Sequence, residues 1–289
     1  MSDNDQYDGQ QFQTLFSGDE DDVDSDSVLE LARVGPLTFH LKCPPDIGTL
    51  FAHKVWSGSI YMSEFLTIQS ELRWQSPGSE LVTLIGKDII ELGAGTGLPS
   101  LTASALGCAK CVITDYPNDE VLNALKETVE HNRRLLLQER SKLLENIQIY
   151  HSNVKADPLI QVIGHCWGND ISDLIESDRG REIDEGADMR GTQALFDVAL
   201  LSECIWLHRE HESLAKSVAA LLKPGGIAIF TYAHHIPGKE DDDDFYFTIC
   251  KEKYGLSVVY SEQKSMPYMW DTQKSITIFL KALRKPNTL

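Results

Sequence analysis

A glycine-rich run between a predicted strand and a predicted helix limits what this chain can fold into. Residues 91–97 read Glu-Leu-Gly-Ala-Gly-Thr-Gly; they start in the apolar segment 88–92 and precede Leu98 and Pro99. Proline suits the first turn of a helix, because the amide hydrogen that it lacks would have no partner there. A glycine turn between a buried strand and a helix lets the backbone approach a ligand closely, so the run predicts a binding site in an α/β fold.

Further strands and helices alternate along the chain, which is typical of a doubly wound sheet. After 88–92, the predicted strands are 111–115, 160–166, 196–202, 227–232, 255–260 and 275–280, and helices are predicted at 98–106, 121–144 and 210–222. The last two strands leave no room for a helix between them, so they should pair antiparallel. We predict an α/β fold with a doubly wound, seven-stranded, mostly parallel sheet and an antiparallel C-terminal hairpin, whose ligands bind beyond the carboxyl ends of the strands.

The third strand of this sheet has two candidate segments, 147–150 and 160–166. We favour the second, because Trp167 then lies just past the carboxyl end of the strand. Upstream of the glycine run, residues 37–41 alternate as in a short strand, and the apolar residues of 60–68 have helical spacing.

Two polar segments are predicted to be loops. Residues 176–193 are polar and contain glycine, which favours irregular structure. His234, His235 and the acidic run 240–244 are predicted to form a solvated loop over the site.

The charge distribution separates a tail from the folded domain. The 289-residue chain has 44 acidic and 26 basic side chains, and its formal net charge is −18. Residues 1–30 contain ten acidic residues and no lysine or arginine, a composition typical of disorder. We therefore predict a disordered acidic tail over residues 1–30 and one folded domain over residues 31–289.

The same charges restrict the partners of the protein. An acidic body disfavours nucleic acid and suits a basic partner. No stretch of eighteen apolar residues occurs, so no contact with a membrane is predicted. Residues 1–30 lack the positive charge that a secretory signal or transit peptide carries, which favours a cytoplasmic or nuclear protein, and we expect the cytoplasm.

An acidic residue ends the second strand of the predicted sheet. Asp115 lies twenty residues after Gly95, where a carboxylate can accept hydrogen bonds from two ribose hydroxyls. NAD and S-adenosylmethionine both carry such a ribose. Leu98 stands where the dinucleotide pattern has its third glycine, which disfavours NAD. The glycine spacing, Glu91 and the terminal hairpin together resemble the class I, seven-stranded, Rossmann-like methyltransferases that use S-adenosylmethionine.

Five short motifs are similar to a narrower family, the eukaryotic protein methyltransferases that act on lysine. They are Val-Trp-Ser-Gly at 55–58, the glycine run, Asp-Tyr-Pro at 115–117, Trp-Gly-Asn-Asp at 167–170 and Leu-Ser-Glu at 201–203. The Asp-Tyr-Pro and Trp-Gly-Asn-Asp motifs most resemble the nicotinamide N-methyltransferase-like branch, which is associated with methylation of the N-terminus and adjacent lysine of elongation factor 1-alpha. The resemblance covers about residues 37–283 and implies S-adenosylmethionine as the cofactor.

The resemblance also implies which residues bind that cofactor. Carried over by position, they are Trp56, Gly93, Ala94, Gly95, Asp115, Trp167 and Ser202. The physical chemistry agrees, because a tryptophan face can pack on adenine or lie against a sulfonium cation. Each tryptophan taken alone is as consistent with packing in the core.

An acceptor site is implied after the fourth strand. Related lysine methyltransferases have an acidic residue there, followed by two variable residues and Tyr or Phe, and this chain has Glu203 and Trp206. An acid and an aromatic wall can position an amine, so these two are the predicted catalytic residues. The expected partner is a protein substrate, and the family similarity points to elongation factor 1-alpha.

Other functions remain open at this point. A small-molecule N-methyltransferase with a nicotinamide-like acceptor shares every cofactor residue. An NAD-dependent oxidoreductase is disfavoured by Leu98, and a noncatalytic module is disfavoured by the glycine run and Asp115. No metal is expected, since His208 and His211 lack the spacing of zinc hydrolases, and the six cysteines are expected to be reduced.

Overall fold

The predicted alternation of strands and helices is confirmed from residue 88 onward. The computed structural model describes residues 28–46, 51–76, 78–146, 154–176, 195–268 and 271–287. Within them, the strands are β1 Val28–Val34, β2 Leu37–Cys43, β3 Asp88–Leu92, β4 Lys110–Asp115, β5 Leu159–Gly164, β6 Phe196–Ser202, β7 Leu222–Tyr232, β8 Ser257–Tyr268 and β9 Asp271–Arg284. The helices are α1 Ser57–Gln75, α2 Leu98–Ala105, α3 Asp119–Asn146, α4 Ser172–Glu176, α5 His211–Leu221 and α6 Glu240–Tyr254, with a 3₁₀ helix His208–Glu210 before α5.

Seven of these strands form one sheet in the order β5-β4-β3-β6-β7-β9-β8. The five strands from β3 to β7 run parallel to one another, and β9 pairs antiparallel with both β7 and β8. The predicted sheet and its terminal hairpin are therefore confirmed, although β8 and β9 are longer than predicted. The chain crosses between the two halves of the sheet from β5 to β6. Such a switch point opens a crevice beyond the carboxyl ends of β3 and β6.

Helices cover both faces of the sheet. On β3, Ile89 packs in the cluster with α1, α2 and α3, whereas Ile90 packs in the cluster with α4, α5 and α6. The two neighbours separate in this way because successive residues of a strand point to opposite faces. No helix among the described residues is long and apolar enough to cross a membrane.

The hairpin of β1 and β2 docks on α3. Asn132 of α3 accepts the N–H of His40 through Oδ1 at 2.9 Å and donates from Nδ2 to the carbonyl oxygen of His40 at 2.7 Å. Thr128 Oγ1 accepts the N–H of Lys42 at 2.8 Å. Side chains of α3 thus form the hydrogen bonds that the backbone groups on the open edge of β2 need. The strand predicted at 37–41 is confirmed as part of β2.

Three predicted segments lie partly outside the described residues: the tail, the third strand with its alternative, and the loop that follows it. The sequence predicts the tail over residues 1–30, but Val28, Leu29 and Glu30 belong to β1. The rest of the tail lies outside the described residues. The third strand is β5, the favoured candidate, while its rival at 147–150 lies outside the described residues. The loop predicted at 176–193 lies outside them as well, apart from its first residue.

The solvated loop predicted at 240–244 is wrong, because these residues open α6. Acidic side chains suit a helix N-terminus, where they complement the macrodipole. Asp243 is also buried, with a side chain 2% exposed, and its two oxygens lie 2.7 Å from His208 Nε2 and 2.8 Å from His234 Nδ1. The His235 side chain is only 3% exposed. Asp243 therefore ties α6 to the segments that follow β6 and β7.

We expect Asp243→Ala to lower the free energy of unfolding by about 1–3 kcal/mol, because two histidine nitrogens lose a buried partner. Asp241→Ala removes the same charge from an exposed position of the same helix and should leave stability nearly unchanged. Urea denaturation followed by circular dichroism compares the two variants. Equal midpoints would show that the buried contacts contribute nothing.

Candidate active site

The nine residues singled out in the sequence line one cavity at the carboxyl ends of the parallel strands. Its volume is about 570 Å³, which is in the range of small-molecule sites. The nine are Trp56, Gly93, Ala94, Gly95, Asp115, Trp167, Ser202, Glu203 and Trp206. The structure therefore brings the predicted cofactor residues and the predicted acceptor residues together.

The glycine run passes close to two other segments of the cavity wall. Gly93 and Gly95 have φ angles of 67° and 54°, which favour glycine. A Cβ built on Gly93 would lie 2.8 Å from Cys204 Sγ and 3.0 Å from the ring of Trp167. Leu98, in the place of a dinucleotide motif's third glycine, is fully buried beneath the β1–β2 hairpin. Gly93 thus makes room for Cys204 and Trp167, whereas an added Cβ on Gly95 would meet only the Cα of Ala52, at 4.0 Å, which leaves space for a ligand beside the backbone. Leu98 serves packing.

Two backbone amides hold the carboxylate of Asp115 at the end of β4. The N–H of Gly95 donates to Oδ2 and the N–H of Tyr116 donates to Oδ1, both at 2.7 Å. These bonds use one lone pair of each oxygen, so each oxygen can accept one further hydrogen bond from a ligand. Burial raises the pKa of Asp115. The oriented pair of acceptors fits two adjacent hydroxyls of a ribose.

Glu91 supports the glycine run from the core. Its side chain is buried, and Oε2 accepts the N–H of Ser100 in the first turn of α2 at 3.0 Å. Burial raises the pKa of Glu91 to about 8, although hydrogen bonds from Ser100 oppose the increase, and the negative charge of Asp115 adds to it. Glu91 therefore joins β3 to α2 and does not line the cavity.

Glu91→Gln is expected to flatten the pH dependence of stability. The folded pKa of about 8 lies above the ordinary 4.5 of glutamate. Between these two values the folded state therefore binds more protons than the unfolded state. The free energy of unfolding of the wild type decreases as the pH rises through this range. This one group contributes at most about 1.4 kcal/mol per pH unit. Denaturation across this pH range should show that the stability of the variant increases relative to that of the wild type as the pH rises. If the two proteins have parallel curves of stability against pH, the raised pKa of Glu91 is contradicted.

Aromatic rings form the wall of the cavity beside α1. Trp56 precedes α1 and donates from Nε1 to the carbonyl oxygen of Phe51 at 2.8 Å. The rings of Phe51 and Trp206 meet edge to face, with centroids 5.2 Å apart. Ile236 completes this cluster. Trp56 and Trp206, two of the three predicted tryptophans, therefore belong to one wall, which offers aromatic surface to a ligand.

Trp167 and Ser202 are held in place by contacts behind the cavity. Gly168 has a φ of 81°, and its N–H donates to Ser217 Oγ at 2.8 Å, which fixes the turn that carries Trp167. Ser202 Oγ lies 3.0 Å from Thr231 Oγ1. Both predicted residues are therefore anchored to neighbouring elements.

Glu203 has an unusual backbone and an unevenly satisfied carboxylate. Its φ is 55°, a strained value for a residue other than glycine that is typical of functional sites. Oε2 accepts the N–H of Ala233 at 3.1 Å and lies 3.0 Å from His235 Nε2. Oε1 is buried and has no hydrogen-bond partner among the described residues. A ligand that donates a hydrogen bond would satisfy it.

Sequence reasoning missed several residues that line the cavity, among them Phe51, Tyr116, His165 and Cys166. Tyr116 and Cys166 neighbour predicted site residues in the sequence, so adjacency is a usable signal for them. Phe51 gives no such signal, because its contact with Trp206 joins distant parts of the chain.

The two histidines considered as metal ligands have other partners. His208 contacts Asp243, and His211 Nε2 bonds to the carbonyl oxygen of Ile205. Within the described ranges, no three histidine, cysteine or acidic side chains are arranged to hold a metal ion. Cys108 and Cys111 are buried free thiols. These side chains have structural contacts away from the cavity.

Comparison with known proteins identifies the family. A family model described as lysine methyltransferase matches residues 38–179. The protein N-terminal and lysine N-methyltransferase EFM7 of Yarrowia lipolytica is 31% identical over 222 residues, covering 76% of this chain and 70% of that protein. The protein of the same name from Eremothecium gossypii is 29% identical, covering 74% of this chain and 66% of that protein.

Solved structures are more distant. A putative S-adenosylmethionine-dependent methyltransferase from Streptococcus mutans aligns with a TM-score of 0.49 and 10% identity, over 93% of this chain and 57% of that chain. That likeness is too weak to assign an activity. The 31% identity to the Yarrowia lipolytica relative extends over most of both proteins. This protein therefore belongs to the lysine methyltransferase family and is a methyltransferase.

Proposed function

We propose that this protein transfers a methyl group from S-adenosylmethionine to the N-terminal amine or an adjacent lysine of elongation factor 1-alpha. The observation that carries the proposal is the single cavity in which the glycine run and Asp115 meet Glu203 and Trp206. Relatives named protein N-terminal and lysine N-methyltransferase support a protein amine as the acceptor. We propose the cytoplasm as the compartment of the reaction.

The residues present fit S-adenosylmethionine. Asp115 keeps two lone pairs for ribose hydroxyls, the glycine run leaves room for a close approach, and Trp56 and Trp167 offer faces to adenine or to a sulfonium. When bound, this cofactor supplies a methyl group on a positively charged sulfur that leaves as a neutral thioether. The chain therefore needs no nucleophile of its own for the transfer, only groups that hold the two reactants.

The acceptor residues are proposed to hold a neutral amine. Glu203 lines the cavity with one oxygen unsatisfied among the described residues, so it can accept an N–H of the amine and orient its lone pair. Phe51 and Trp206 provide an apolar wall for the hydrocarbon part of the acceptor. Positioning of this kind can supply about 7–11 kcal/mol of the acceleration. The amine must also lose its proton, to Glu203 or to solvent, before it can accept the methyl group.

The test is methyl transfer from radioactive S-adenosylmethionine to purified elongation factor 1-alpha, with the modified position mapped by mass spectrometry. We expect label on the N-terminal amine or an adjacent lysine, and none when both are chemically blocked. Nicotinamide, the acceptor of the alternative left open by the sequence, is assayed in parallel. Label in nicotinamide with none in the factor would overturn the protein acceptor.

A further inference from the structure

His235 contacts one predicted residue on the acceptor side of the cavity and one on the cofactor side. Its Nε2 lies 3.0 Å from Glu203 Oε2. Its ring meets Trp56 nearly edge to face, with centroids 5.3 Å apart and planes at 73°. The side chain is 3% exposed and is not among the residues that line the cavity. One buried ring therefore contacts a predicted cofactor residue and a predicted acceptor residue.

The strained conformation of Glu203 has to be held by its surroundings. The N–H of Glu203 donates to the carbonyl oxygen of Thr231 at 2.7 Å, and Ala233 donates to Oε2. On the opposite side lies Gly58, where an added Cβ would be 2.5 Å from Oε1. The backbone after β7 and the first turn of α1 thus pack against the carboxylate, and His235 is an ionisable side chain that contacts it.

The direction of the hydrogen bond follows from the chemistry of the pair. An ionised carboxylate only accepts hydrogen bonds, so His235 must carry its proton on Nε2 to bond to Glu203. With Oε2 already bonded to His235 and Ala233, rotation of the carboxylate would break both contacts. Oε1 then remains the oxygen of Glu203 without a hydrogen-bond partner among the described residues.

We propose that His235 is a positioning residue for methyl transfer, which fixes Glu203 so that Oε1 receives the acceptor amine and which supports the ring of Trp56. The proposal rests on the proposed function. His235 touches neither reactant, so it acts through Glu203 and Trp56. Its loss should lower turnover with little change in cofactor affinity, because a small displacement of a catalytic group is costly and the cofactor residues of β3 and β4 stay in place.

The test compares His235→Leu, which keeps apolar bulk against Trp56, with His235→Gln, which keeps an N–H near the position of Nε2. We expect His235→Leu to lower kcat by about 10- to 100-fold and to change the dissociation constant of S-adenosylmethionine much less. His235→Gln should recover most of the loss. His131→Leu, at an exposed position of α3, is the matched control and should behave as the wild type.

A double variant separates positioning from a general loss of structure. If His235 acts through Glu203, adding His235→Leu to Glu203→Gln should lower kcat little further. Full additivity of the two losses, or equal activity of the Leu and Gln variants, would overturn the proposal. Wild-type levels of transfer by His235→Leu would do the same.

A spectroscopic measurement tests the contact independently of the acceptor. In protein with nitrogen-15-labelled histidine, the ring signals of His235 should shift in Glu203→Gln, while those of His131 should not. A His235 signal unmoved by Glu203→Gln overturns the positioning role whatever the acceptor. Failure of the wild-type protein to methylate any protein amine would instead contradict the proposed function.

Discussion

Asp115→Ala is expected to weaken binding of S-adenosylmethionine by roughly 10²- to 10⁴-fold. Each hydrogen bond from a ribose hydroxyl to the charged carboxylate contributes about 1.5–3 kcal/mol, and the oriented oxygens of Asp115 can accept two. The alanine also releases the N–H of Gly95, which donates to Oδ2 at 2.7 Å, so the glycine run loses part of its support. Isothermal titration calorimetry measures the change.

The matched control for this variant is Asp157→Ala, which removes an aspartate whose side chain is 60% exposed and pairs with Arg133. It should bind the cofactor as the wild type does. The melting temperature of each variant checks that the fold is intact. A dissociation constant for Asp115→Ala within about threefold of the wild type, or less than about 0.7 kcal/mol, would contradict the cofactor assignment of Asp115.

Glu203→Gln is expected to lower kcat by about 10²-fold or more, because the amide has the same shape but loses the charge that orients the amine and accepts its proton. Binding of S-adenosylmethionine should change far less, since the ribose and glycine-run contacts remain. Stopped-time methylation assays give kcat and KM, and calorimetry gives the affinity for the cofactor. If turnover and cofactor affinity fell by the same factor, Glu203 would act in cofactor binding and not on the acceptor.

Glu212→Gln is the control for that substitution. Its side chain is 63% exposed and pairs with Lys253 on the surface, so the same chemical change there should leave turnover unchanged. Activity of Glu203→Gln at the level of this control would show that the charge of Glu203 has no role in the transfer.

Much of the sheet was predictable because its central strands are buried on both faces. Segments such as 111–115 and 196–202 are rich in apolar residues, and the strands found there begin and end within one residue of the prediction. β1 was not predicted, because its first residues lie at the end of an acidic segment. The charge of the run 240–244 predicts a solvated loop, whereas its first four acidic residues lie in the first turn of a helix, where they complement the macrodipole.

The residues that line the cofactor side of the cavity were easier to predict than the residues that hold the cavity wall in place. The glycine run and Asp115 each follow a strand in the order that the fold dictates, so spacing along the chain is enough to find them. Phe51 and His235 act through contacts with Trp206 and Glu203, which are made only when separate loops meet in space. No local pattern in the sequence reports such a contact.

The most direct test of this account is a crystal structure of the protein with S-adenosylhomocysteine and an acceptor peptide that has a free N-terminal amine and a nearby lysine. We predict that the ribose hydroxyls of the product contact Asp115, that its amino-acid part lies along Gly93 to Gly95, and that the amine of the peptide lies against Glu203 and Trp206. Product bound away from Asp115, or a peptide amine that reaches the cavity without contacting Glu203, would contradict it.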